Sequence, residues 1–70
     1  VTIGYHGLTP ASARWLAERV SSLAGASLAV ADWTARAESV FTTPVRVDRD
    51  NPERPVFSGV DGFTVTTYPA

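Results

Sequence analysis

Apolar and polar positions alternate at the start of the chain, where Val1, Ile3 and Tyr5 are separated by Thr2 and Gly4. That period, carried by β-branched and aromatic residues, predicts a first strand at Val1–Tyr5. The period then changes. Thr9 is placed as an N-cap and Pro10 at the first helical position, where a missing N–H costs nothing. A helix follows to about Leu23 or Ala24, with Gly25 as a left-handed C-cap. At about 100° per residue, Ala13, Leu16, Ala17, Val20, Leu23 and Ala24 form one apolar stripe, which is expected to face the core. Trp15 projects about 140° from the centre of that stripe, one turn before Arg19.

Between Ser27 and Phe41 the pattern supports two readings. Val30, Trp33, Ala37, Val40 and Phe41 follow helical spacing, and the alanines, Arg36 and Glu38 favour a second helix over Ser27–Val40. A strand at Leu28–Trp33 is the rival. Pro44 ends the segment, and Val45-Arg46-Val47-Asp48 alternates as a strand with its valines inward. Asp48 to Pro55 reads as an exposed loop, because two prolines among turn formers cannot sustain a ladder. Asp61-Gly62 then suggests a two-residue type I′ hairpin that pairs Val60 with Phe63, Ser58 with Val65 and Val56 with Thr67. Phe57, Gly59, Thr64, Thr66 and Tyr68 fall on the opposite face. The expected fold is α+β: a short N-terminal strand and one or two helices packed on a small antiparallel sheet that ends in a C-terminal β-hairpin.

At 70 residues one small domain is expected, burying about 60 to 65 % of the surface of its unfolded chain, so its stability is thin. No cysteine is present and His6 is the lone histidine, which removes disulfides and a Cys/His zinc site as reinforcement. A hydrophobic fraction of 44% with 19% charged residues is that of a folding chain. The net charge of −1 gives counterion release little to act on, so nucleic acid is disfavoured as a partner. All six basic residues are arginine, and isoleucine and asparagine occur once each. This is the codon bias of a GC-rich genome, such as that of an actinobacterium or one of its phages. No apolar run is long enough to span a membrane and no signal peptide is visible, so a soluble chain is expected.

Three stretches invite chemical readings. Gly4-Tyr5-His6-Gly7 lies between a strand and a helix N-terminus, where backbone N–H groups hold anions, yet the glycine spacing and following Lys-Ser/Thr of a phosphate loop are missing. His6 as a general base would need a nucleophile and an orienting partner that the sequence does not place. Asp48, Asp50 and Glu53 resemble a calcium loop only superficially. Pro52 and Glu53 occupy the fifth and sixth positions, and Arg46, Arg49 and Arg54 neutralise the acids. No catalytic residue, metal or cofactor is expected.

Trp15 and Arg19 are the candidate interface residues, because Trp and Arg are enriched in interface hot spots and the helical geometry turns Trp15 off the core stripe; the rival reading is private packing, with the ring over the Arg19 stem or covered by the sheet. The expected function is a non-catalytic protein-interaction or assembly module, such as a small structural subunit of a larger complex or a phage virion component. Its partner would be another protein or a further copy of itself. The alternatives are a small ligand- or anion-binding domain or enzyme using the turn near His6, and a nucleic-acid-associated regulator acting through its arginines.

Overall fold

The alternating residues at the start of the chain form strand β1, Thr2–His6. In the computed structural model, which describes residues 1–23, 27–42 and 44–69, the other elements are α1 (Pro10–Ser21), α2 (Val30–Val40), β2 (Val45–Asp48), β3 (Val56–Gly59) and β4 (Thr64–Tyr68). The fold is α+β. The four strands make one antiparallel sheet in the order β1-β4-β3-β2, so β1 and β2 are its edges. Gly25 and Ala24, expected to close the first helix, lie outside the described residues.

Helix α1 begins as its sequence predicts. Thr9 is extended (φ −85°, ψ 164°) and its Oγ1 accepts the Ser12 N–H at 3.2 Å, with Pro10 in the first turn. Its buried face, however, differs from the predicted stripe. Ser12, Leu16 and Leu23 are buried, whereas Ala13 and Ala17 are exposed and Trp15 is half-buried. The helix is rolled towards Trp15 because an aromatic ring removes far more apolar area from water than two alanine methyls do. The second segment is a helix and not a strand. Adjacent Trp33 and Thr34 are both buried, together with Ala37 and Phe41; a helix places these positions on one side, whereas a strand would turn Trp33 and Thr34 to opposite faces. It starts at Val30, three residues later than expected; Leu28 remains outside it and packs against the core.

The C-terminal strands form the expected hairpin, but in a different register. Phe57 pairs with Val65 and Ser58 with Thr64, while the Gly59 N–H donates to Phe63 O (3.0 Å) and the Gly62 N–H to Gly59 O (3.2 Å). The loop therefore has three residues, Val60-Asp61-Gly62, and not two. Gly62 has φ +89°, and among the described residues no non-glycine has positive φ. These are the features of a turn closed by a left-handed glycine bulge. Moving the register by one residue turns every β3 side chain over. Phe57 then goes into the core and Val60 goes to the tip, an exchange of a serine for a buried phenylalanine worth about 2 kcal/mol. It also spares Asp61 a positive φ. Gly59 is required beneath Phe63, since a Cβ there would fall on the ring.

Both helices cover the same face of the sheet. A continuous series of rings fills the interior: Trp33 meets Phe57 edge-on at 5.7 Å, Phe57 meets Phe41 at 5.5 Å, and Phe41 meets Trp15 at 5.7 Å. Val45 and Val47 point inward as predicted and pack against this cluster. Thr67, fully buried, satisfies its polar groups by donating both its N–H (3.1 Å) and its hydroxyl (3.0 Å) to Pro55 O. The radius of gyration is 11.0 Å, which matches a compact chain of this length.

Candidate functional site

The hairpin tip rests on the first turn of α1. The Ser12 hydroxyl donates to the Asp61 carboxylate and accepts from Thr9 Oγ1 at 3.0 Å. A chain-internal carboxylate thus lies at the helix N-terminus, where the helix dipole favours negative charge. Gly7, with φ +71°, brings the strand-to-helix turn against the backbone of the same tip, and a Cβ on it would stand 3.1 Å from Gly62 O. Sequence reasoning did not anticipate this hook. Its one legible signal was the serine three residues after the N-cap threonine.

Beside the hook, α1 and the tip enclose a shallow recess of about 330 Å³ lined by Ala11, Trp15, Pro44, Val60 and Phe63, with Ser12 and Asp61 at its polar end. Trp15 is its floor and wall. The indole packs on Phe41 and, at 6.0 Å, on Phe63, and the Arg19 guanidinium carbon lies 5.5 Å from the ring centroid. The two candidate interface residues therefore stand together, as the spacing predicted, but Trp15 also serves the protein's own core, contrary to an orientation wholly away from it. Val60 is 83% exposed. The register shift put it there, so the sequence reading, which paired Val60 with Phe63 across the strands, missed it.

A second apolar region flanks the β1 edge. Tyr5 (42% exposed) and Leu8 (39% exposed) line a recess with Ala13, Leu16 and Ala17, and partial burial pushes the Tyr5 phenol above its ordinary value.

The remaining candidates are separated from both regions or dispersed. His6 is exposed at the end of β1, opposite Thr64, and no side-chain hydrogen bond among the described residues places a nucleophile beside it. The acidic loop is held by its own turns. The Asp48 carboxylate accepts the Asp50 N–H at 2.9 Å and the Asn51 side-chain carbonyl accepts the Glu53 N–H at 3.0 Å. Arg49 pairs with Glu38 of α2, and Arg54 stacks on Tyr68 at 4.7 Å. Among the described residues no three metal-ligating side chains cluster, and no helix is long and apolar enough to cross a membrane. Comparison of the chain with known protein families, with curated proteins and with solved structures found no match in any of the three.

Proposed function

We propose that this protein is a non-catalytic interaction or assembly module, and that the recess between α1 and the hairpin tip receives an apolar side chain of a protein partner. The observation that carries this reading is Val60, a valine 83% exposed beside a half-buried Trp15 backed by Arg19. Isolated surface valines need no explanation, but an exposed valine, a tryptophan edge and Pro44 around one concavity resemble the anchor pockets of protein interfaces. A small structural subunit or a phage virion component is the setting in which so small a module gains stability from docking.

The anion-binding alternative is disfavoured by a specific contact. The helix N-terminus that would hold an anion already has the Asp61 carboxylate, held by Ser12, and a second negative charge there would be repelled. The nucleic-acid alternative has little support from the charges, since Arg19, Arg49 and Arg54 engage Trp15, Glu38 and Tyr68 and the net charge is −1.

Val60→Asp separates binding from folding. Because the side chain is exposed, the unfolding free energy should stay within the range of neutral surface changes, about 0.5 kcal/mol. The affinity for the uncharged apolar dye Nile red, added to the native protein, should fall at least about fivefold. A wild-type protein that takes up no dye, or a variant that binds it as well as the wild type, contradicts the reading.

A further inference from the structure

The two edges of the sheet are unlike. β2 begins after Pro44 and carries Arg46 and Asp48, with Arg49 and Asp50 directly following. Such charges and prolines blunt an edge against further pairing. β1, Thr2–His6, has no Arg, Asp or Glu and no proline. On the helix-covered side its flank is apolar, with Ile3, Tyr5 and Leu8 next to the exposed Ala13 and Ala17 of α1. This is an unguarded strand edge with an apolar shelf beside it.

We propose that β1 is the seat of a second copy of this chain, two β1 strands pairing antiparallel about a two-fold axis at Gly4 to join two four-stranded sheets into one of eight strands. The occupant follows from the order of residues. Gly4 is the centre of the five-residue strand, so inversion about it pairs all five positions. Ile3 of one copy then faces Tyr5 of the other on the helix side, twice, and Thr2 faces His6 on the open side. Apolar meets apolar, and no like charges are opposed in the strand.

Gly4 presents no side chain at the axis, a position where close backbone approach is common; the Tyr68 ring lies over it on the open face, 3.4 Å from where a Cβ would be. The same axis runs the two α1 helices antiparallel. A stable interface takes about 800 Å² from each partner, about a fifth of the 4358 Å² surface. The strand edge therefore acts together with Tyr5, Leu8 and the α1 flank. This contact is separate from the Trp15–Val60 recess, and either can fail without the other.

Sedimentation equilibrium of the whole chain from about 5 μM to about 1 mM tests it. The mass should move from 7.5 kDa towards twice that value, and Tyr5→Lys, which sets an ammonium against Ile3 of the other copy, should weaken the dimer at least about tenfold. Circular dichroism checks that this variant is folded. Hydrogen exchange on the wild type gives an answer that needs no variant. Between the dilute and concentrated samples, amides of β1 should slow at least about tenfold while those of β2 do not change. A 7.5 kDa mass throughout, or a dimer whose β1 amides exchange as fast as in the monomer, overturns the proposal. So does a dimer that persists in folded Tyr5→Lys and is lost in Val60→Asp, which would place the contact at the recess.

Discussion

Trp15 has two roles. Its ring contacts Phe41 and Phe63 inside the protein while its other edge lines the recess with Val60. Trp15→Ala is therefore expected to lower stability by about 2 kcal/mol or more, even with no partner present. If the recess binds a partner as proposed, exposed Val60, and not Trp15, is the residue whose substitution should remove binding with the fold intact. Gly59 makes a sharper case, since the strand conformation there is open to any residue and the obstacle is the Phe63 ring. Gly59→Ala should cost about 1 to 3 kcal/mol by displacing that ring, read from urea unfolding; a variant as stable as the wild type would show that Phe63 has room to move. That Trp15 was unusual could be read from its spacing. Which way the helix rolled could not, because periodicity counts alanines and tryptophans as equal members of a stripe whereas burial weighs them by area.

At the scale of elements, the hairpin and α1 are coupled through the Ser12–Asp61 contact. Asp61→Ala should cost about 1 kcal/mol and Ser12→Ala, which also removes the contact with Thr9 Oγ1, at least as much, and the double variant should cost little more than Ser12→Ala alone, because both remove the Ser12–Asp61 contact. Additive losses in denaturant unfolding would mean that the two side chains act independently. Gly62→Val, which forces a β-branched residue to φ +89°, should cost at least about 1 to 2 kcal/mol. The strand at Val45–Asp48, the Thr9–Pro10 helix start and the existence of the hairpin were legible because each has a local cause: alternation, a cap, a turn pair. The hairpin register was not. Asp-Gly suits both a two-residue loop and a three-residue loop with a glycine bulge, and the choice between them rests on whether Phe57 or Ser58 is buried, a matter of tertiary packing. The start of α2 was misplaced for a similar reason, since Leu28 serves the core from outside the helix.

At the scale of the whole molecule, one face of the sheet is covered by helices, one edge carries charge, and the large hydrophobic residues left exposed among the described ones, Val60, Tyr5 and Leu8, stand in two places, the recess beside Trp15 and the flank of β1. The recess was legible only in part. Trp15 and Arg19 were found by residue type and spacing, but Val60 and Pro44 reach it through the hairpin register and the chain path. Whether the recess is a docking site for an apolar group is decided by mapping amide and indole chemical shifts of the native protein during separate titrations with isopropanol and with inorganic phosphate. The predicted result is a set of isopropanol shifts concentrated on the Trp15 indole, Val60 and Phe63, with phosphate leaving Gly7 to Ala11 unmoved. Isopropanol shifts scattered evenly over the surface, or phosphate shifts gathered at the N-terminus of α1, would contradict it.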